Sequence, residues 1–304
     1  MAALHGNIVG GGLTQLRSLD PERDRTWLEG LWADALAPSW PSFTGALDLA
    51  RTGLVAERDG EAVGAVVFDP PGSIQLLLVA PARQRQGVGS ALLEAALERC
   101  AAEGAGLPSL GGGGGDYIWP GVPADLGRAV RFFSRRGWRL DDVVSDLTAD
   151  LRTYTAPPGV AERAARAGIT LAVATGGELA DALDFERRWF PEWLHWFQEP
   201  GVSALLAHDR DGEVVGSLLL AGPGRCSVFW PMLGEDMATI GAVGVAEPAR
   251  RSGVGAAMVV RASELLKQAG AGRCHIGWVG LQSFYEQLGY RRWRDYLVSR
   301  GSSG

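Results

Sequence analysis

Cysteine is scarce in this chain, and the three present (Cys100, Cys226 and Cys274) stand far apart with no CxxC pair. That spacing excludes a disulfide framework and a zinc ribbon, and predicts reduced, buried thiols. The four histidines, His5, His195, His208 and His275, form no metal pattern either, so no metal is expected. There is no run of basic residues: 29 Lys and Arg stand against 35 Asp and Glu, a net charge of −6. A nucleic-acid partner held by phosphate charge is therefore not expected. No apolar stretch approaches the roughly 18 residues of a membrane helix, so no membrane partner is expected. The first residues lack a basic start followed by an apolar segment, which argues against a secretory signal and for a cytoplasmic protein. What remains is a folded chain, 46% hydrophobic and 21% charged. Its 304 residues suit two domains of about 150 each.

The sequence repeats itself. Leu54 to Val67 (LVAERDGEAVGAVV) and Leu205 to Leu219 (LLAHDRDGEVVGSLL) both read as apolar strand, Asp-Gly turn, apolar strand, a strong hairpin signal. Val79 to Ser90 (VAPARQRQGVGS) recurs as Val245 to Ala256 (VAEPARRSGVGA). Phe132-Phe133 to Gly137-Trp138 recurs as Phe284-Tyr285 to Gly289-Tyr290. The copies differ by insertions, Gly111 to Val122 in the first and Gly222 to Ala238 in the second. Ala156-Pro157-Pro158-Gly159 ends the strand-like Val143 to Leu151, which places the boundary between residues 1–156 and 157–304. Each half mixes strands and amphipathic helices, the order of an α/β domain.

The two Gly loops, Gln84-Arg85-Gln86-Gly87-Val88-Gly89 and Arg250-Arg251-Ser252-Gly253-Val254-Gly255, each join an apolar strand to an amphipathic helix. Glycines at a helix mouth admit a close ligand, and the first helical amides together with the dipole favour an anion such as a pyrophosphate. Arg85 and Arg251 stand where a guanidinium adds charge. Neither loop continues into the Lys of a P-loop. Leu92 and Met258 occupy the place where a dinucleotide fingerprint wants a third small residue.

The loop after an apolar strand, followed by Phe132-Phe133…Gly137-Trp138 or Phe284-Tyr285…Gly289-Tyr290, resembles the GNAT acetyltransferase superfamily in both halves. The resemblance implies an α/β fold class: two GNAT folds in tandem, each a mixed, partly antiparallel central sheet flanked by helices. It implies acetyl-CoA as co-substrate, bound in the second half by Val243, Val245, Arg250, Arg251, Ser252, Gly253, Val254, Gly255 and Ala256. The matching residues Val79, Gln84, Arg85, Gln86, Gly87, Val88, Gly89 and Ser90 give the first half the same capacity. The pantetheine arm would lie between two splayed parallel strands, ending at Val245 and near Trp278. Gly114 to Pro123 ahead of Phe132, with Trp278-Val279-Gly280-Leu281 ahead of Phe284, is similar to bacterial tandem GNATs that include glucosaminide N-acetyltransferases.

That resemblance places Tyr285 as general acid to the departing thiolate, where the first half has Phe133. The second half is then the catalytic one, and the expected reaction is acetyl transfer to the primary amine of a small molecule, an amino sugar or aminoglycoside-like compound. The general base stays open among Glu192, His195, Glu235 and Asp236. Two alternatives share the fold: an acyl-CoA-binding sensor or scaffold without turnover, and a protein N-acetyltransferase. For the acceptor, Trp189, Phe190, Trp193, Trp196 and Phe197 crowd one stretch beside Glu192. Such rings stack on a sugar or attract an ammonium group, with Trp278 as a further candidate. The competing reading is that these aromatics simply pack the two halves together.

Overall fold

The structure is a computed structural model describing residues 6–8, 13–37, 39–40, 52–69, 72–104, 106–112, 117–223 and 230–299. His5, Gly114, Gly115, Asp116 and Cys226 lie outside the described residues, as do the side chains of Trp230 and Pro231. Two compact units emerge: 1–144 together with 295–304, and 145–294.

The first unit holds strands β1 (Gly6–Ile8), β2 (Leu13–Ser18), β3 (Gly53–Arg58), β4 (Glu61–Asp69), β5 (Ser73–Val79) and β6 (Ser109–Leu110), in that order across one sheet. The first five are antiparallel neighbours; β5 and β6 run parallel. Helices α1 (Arg25–Leu36), α2 (Val88–Ala102) and α3 (Gly127–Ser134) accompany them, with the short strand β7 (Val122–Pro123). The β3–β4 hairpin turns on Asp59 and Gly60, both left-handed (φ 54° and 80°), as an Asp-Gly turn between twisted strands requires. Helix α2 forms because Val88, Ala91, Leu92, Ala96 and Cys100 recur at helical spacing and bury one face on the sheet.

The second unit repeats the plan. After β8 (Asp142–Asp150) come α4 (Val160–Ala167), β9 (Thr170–Thr175), α5 (Ala180–Trp189), β10 (Ser203–His208), β11 (Val214–Ala221), β12 (Met237–Val245), α6 (Val254–Gln268), β13 (Arg273–Val279), α7 (Gln282–Glu286) and β14 (Arg291–Val298). Strands β9 to β12 are antiparallel neighbours, and β12 runs parallel to β13. Both units thus combine a mixed, partly antiparallel sheet with flanking helices, the same plan twice in tandem. Cys100 and Cys274 are buried free thiols, and burial pushes Cys274 up to about 12.

The units do not divide at residues 156 and 157. The separation falls between Val144 and Ser145, inside β8, and again between Arg294 and Asp295, inside β14. The reason is strand pairing. Ser145 to Asp150, at the end of the first repeat, pair with β13 and complete the second unit's sheet. Tyr296 and Leu297, at the end of the second repeat, pair with Pro123 and Val122 of the first unit. The hydroxyl of Ser299 accepts the amide of Leu110 in the same unit (2.9 Å). Tyr296 is fully buried and joins Trp40, whose ring also meets Trp119. Tyr296→Ala should therefore destabilise the first unit by about 3–5 kcal/mol, read as a fall in urea midpoint with early amide exchange in β5 and β6.

Candidate functional site

The strand-to-helix loops are built alike in the two units. Arg85 and Gly87 are left-handed (φ 64° and 86°), and so are Arg251 and Gly253 (φ 66° and 98°). Gly87 and Gly253 are the N-caps of α2 and α6. The residue opening each loop ties it back to its strand: Gln84 Nε2 donates to Val79 O (3.1 Å), and Arg250 Nε donates to Val245 O (3.2 Å). Gly64 and Gly216 let the helix settle on the sheet. A Cβ at Gly64 would meet Leu78 O at 2.9 Å and Val88 at 3.2 Å; one at Gly216 would meet Met258 at 2.7 Å and Val254 at 3.2 Å. A Cβ at Gly89 would touch Val79 and Phe132, and one at Gly255 would touch Val245 and Phe284.

The first helical hydrogen bonds run from Ala91 N to Gly87 O and from Ala257 N to Gly253 O, both 3.0 Å. The amides of Val88, Gly89 and Ser90, and of Val254, Gly255 and Ala256, precede them at the positive end of each helix dipole. The sequence-derived loop residues are brought together in both units.

Beside each loop the parallel strands part. Strand β5 keeps β6 only at Ser73 and Ile74, and β12 keeps β13 only from Met237 to Thr239. In the first unit the opening is a cleft of about 1100 Å³, lined by Gln75 to Val79, Gly87, Gly89 and Phe133 and by the arginines of α3 and the turn after it. A bulge marks the parting strand in each copy. Gln75 is the extra residue of β5 against β4. Ala242 and Val243 of β12 stand opposite Leu218 alone, and Ala242 is left-handed (φ 46°).

Phe132, Phe133 and Trp138 form a chain of edge-to-face rings, matched by Phe284, Tyr285 and Tyr290. Tyr285 is 9% exposed, and burial raises its hydroxyl to about 12, so the phenol stays protonated throughout the physiological range.

The aromatic stretch after α5 is not one helix. Phe190 breaks it, a 3₁₀ turn spans Pro191–Trp193, and one α-turn spans Leu194–Phe197. Phe197 is buried, Phe190 stacks on Trp193 (4.8 Å, 9°), and Phe190 lies where a Gly244 Cβ would project. Trp189, Trp193 and Trp196 are half-buried, and Glu192 is exposed. Trp278 is left-handed (φ 53°) and 37% exposed. Among the candidate bases, Asp236 pairs with Arg152 and, with Glu235, precedes β12. At about 3.3 Å per residue, Asp236 stands roughly 30 Å from the loop end of the strand and roughly 10 Å from Thr239, where β12 and β13 part.

One group was not anticipated from the sequence. Glu186, on the apolar face of α5 beside Ala182 and Phe185, is fully buried. Its Oε1 accepts the hydroxyl of Ser217, and its Oε2 finds no partner among the described residues. Burial chiefly, with the charge of Glu192 in addition, lifts its carboxyl to about 7 against the opposing Ser217 bond. A carboxylate standing in the apolar stripe of a helix was the signal available.

The sequence profile of the acetyltransferase (GNAT) family matches residues 12–110 and 174–290, one match in each repeat. The chain belongs to the GNAT acetyltransferase family. Solved structures agree. A GCN5-related glucosamine N-acetyltransferase region of a fungal multi-domain GH3 β-N-acetylglucosaminidase is 29% identical with a TM-score of 0.86. That match covers 95% of this chain but 38% of the fungal one, so this chain spans well under half of its relative's length. A GCN5-related N-acetyltransferase from Sphaerobacter thermophilus shares the fold at 18% identity (TM-score 0.70, 94% of each chain). So does a tandem GNAT protein from the clavulanic acid biosynthesis pathway, at 17% identity (TM-score 0.62, 94% of this chain and 97% of that one). No protein of curated function matches the chain in sequence. Among the described residues, no helix is long and apolar enough to cross a membrane, and no group of His, Cys, Asp and Glu could hold a metal.

Glu186 makes this GNAT chain's stability depend on pH. Its carboxyl stays protonated in the folded chain at pH values where the unfolded chain ionises, so folding takes up a proton. Stability is then fullest below about pH 4.5 and declines as pH rises through about 7. At about 1.4 kcal/mol per unit, the loss is about 3 kcal/mol. Glu186→Gln should flatten that decline, measured by urea midpoints from pH 4 to 8.

Proposed function

We propose that this protein transfers the acetyl group of acetyl-CoA to the primary amine of an amino sugar or similar small molecule, and that the second unit does so. The observation that carries the reading is the contrast between Tyr285 and Phe133. The loops, strand partings and ring chains around them match, and only the second copy has a proton to give. The likeness to a glucosamine N-acetyltransferase region supports the choice of acceptor.

The residues fit acetyl-CoA. The left-handed pair Arg251 and Gly253 leads into α6, whose first helical bond starts at Ala257, so the amides of Val254, Gly255 and Ala256 lack an intrahelical partner and offer a cradle for a pyrophosphate. Arg251 is exposed beside it. The parting of β12 from β13 leaves Val243 and Val245 along an extended arm. When bound, acetyl-CoA supplies an acetyl group activated as a thioester. As the C–S bond breaks and the C–N bond forms, Tyr285 gives its phenolic proton to sulfur and recovers one from the amine nitrogen. Burial weakens Tyr285 as an acid, but the same apolar surroundings raise the proton affinity of a thiolate held there.

A second reading concerns the first unit, where the open cleft and the nearby Arg128, Arg131, Arg135 and Arg136 favour an acyl-CoA held without turnover. Phe133 supplies no proton there.

Three variants test the assignment in a thiol-release assay with acetyl-CoA and an amine panel. Tyr285→Phe should lower kcat by about 10²-fold while the dissociation constant of acetyl-CoA hardly moves. Gly253→Val, strained at φ 98° and meeting the Arg163 stem at 2.8 Å, should abolish turnover. Gly87→Val should spare most of it. A dead Gly87 variant beside an active Gly253 variant would exchange the roles of the two units.

A further inference from the structure

The first unit's cleft gathers charge that no acid of the fold answers. Arg85, Arg128, Arg131, Arg135 and Arg136 all line it, and all are exposed. None of them forms an ion pair among the described residues, whereas Arg17, Arg139, Arg152, Arg187 and Arg292 elsewhere each meet a carboxylate. Asp125, the acidic residue of the lining, takes the indole N–H of Trp40 (3.2 Å). Like charges around one opening repel one another, and low-dielectric walls strengthen the field they make. In a chain of net charge −6, such crowding marks an anion site rather than a general excess of cations.

Arg136 shows how the charge is aimed. Its Nη2 donates to Ser90 Oγ (2.6 Å), its Nη1 donates to Phe132 O (3.0 Å), and its guanidinium lies 3.7 Å from the centre of the Phe132 ring. Ser90 belongs to the first turn of α2, so the guanidinium is fixed beside the amides that lack an intrahelical partner. The other N–H donors of its fork are available to a ligand. The second copy is built differently. Gly280, Ser283, Gln287 and the buried Leu288 stand where the first has Arg128, Arg131, Arg135 and Arg136, and Ala256 stands for Ser90. Of the cleft arginines, only Arg85 has a counterpart, Arg251. The rest of the first cleft's lining is largely apolar, with Leu76, Val79, Leu110, Trp119 and Phe133. The ligand that fits is polyanionic in one part and weakly polar in the other.

We propose that the first unit selects its ligand by phosphate charge, reading the 3′-phosphate of coenzyme A as well as the pyrophosphate, and that it therefore holds coenzyme A and acyl-CoA alike. A pyrophosphate carries about two charges and a 3′-phosphate adds about two more, so the pyrophosphate alone leaves most of these guanidiniums unmatched. The second unit offers the loop amides and Arg251 to the pyrophosphate and has uncharged residues at the other matching positions. The proposal rests on the reading of the first unit given above, and adds what the cleft recognises and which residues do so. The acyl group takes no part in that recognition, so the first unit tracks the whole coenzyme A pool rather than its acetylated fraction.

Calorimetry on the full chain, with coenzyme A, acetyl-CoA and 3′-dephospho-CoA as probes, tests this. Both units should bind coenzyme A in the parent chain, and only the first in Gly253→Val. In that variant coenzyme A and acetyl-CoA should bind alike, and 3′-dephospho-CoA about tenfold more weakly. Adding Arg135→Gln and Arg136→Gln should weaken coenzyme A about tenfold and erase its advantage over 3′-dephospho-CoA. Rising salt should weaken the first unit's site more steeply than the one left in Gly87→Val. Equal binding of coenzyme A and 3′-dephospho-CoA, unchanged in the arginine variants, would overturn the selection and leave a held acyl-CoA standing. A single equivalent bound by the parent chain, and kept in Gly87→Val, would overturn both. A parent chain that binds none of the probes would overturn the transfer reading as well.

Discussion

Each unit depends on one backbone event, the passage of a strand into a helix through two left-handed residues, Arg85 and Gly87 or Arg251 and Gly253. An arginine in that region is disfavoured by roughly 1–2 kcal/mol, so the surroundings must hold it. They do so through the side chain that opens the loop and bonds back to the strand end, at Gln84 and at Arg250. They also do so through Gly64 and Gly216, which let the first helical turn sit against the neighbouring strand. With the helix fixed there, its first amides have no intrahelical carbonyl to bind, and the adjacent parallel strands part beside them.

The duplication supplies its own control. Whatever both copies share belongs to the scaffold, and whatever they do not share is where their chemistry can diverge. The loops, the underlying glycines, the bulged strand and the edge-to-face rings are shared. Tyr285 against Phe133 is not, and neither is the pair formed by Asp146 and His275. The first copy instead lines its cleft with arginines from α3 and the turn that follows. Arginines lining one copy and a buried phenol in the other are the differences on which the proposed division of labour rests.

Local chemistry was legible in the sequence. The Asp-Gly hairpins, the apolar stripes of α2 and α6, and both Gly loops follow from turn rules and periodicity acting over a few residues. The ends of the repeats were not. Asp142 to Asp150 reads as a strand at the close of the first half, but nothing in its alternation says that its partner is β13. Pairing across more than a hundred residues leaves no local mark. Glu186 was hidden for a different reason: a carboxylate in a helix is usually solvated, and only the depth of α5 against β11 shows that this one is not. Asp146 was hidden by both effects at once, since its carboxylate, on a strand from one repeat, accepts the amide of Trp278 in a bulge from the other.

The exchanged strands also bear on how the chain comes into being at the ribosome. Domains made in series generally fold one after another as they emerge. Here Tyr296 and Leu297 pair with Pro123 and Val122, and Ser299 binds Leu110, partners synthesised far earlier, so the first unit waits for its last residues while the second is translated. Cutting the gene between the repeats would strand each fragment without its closing strand. Two genes descended from such a split would have to be expressed together and assemble as one, which is a reason for a duplicated chain of this kind to stay fused.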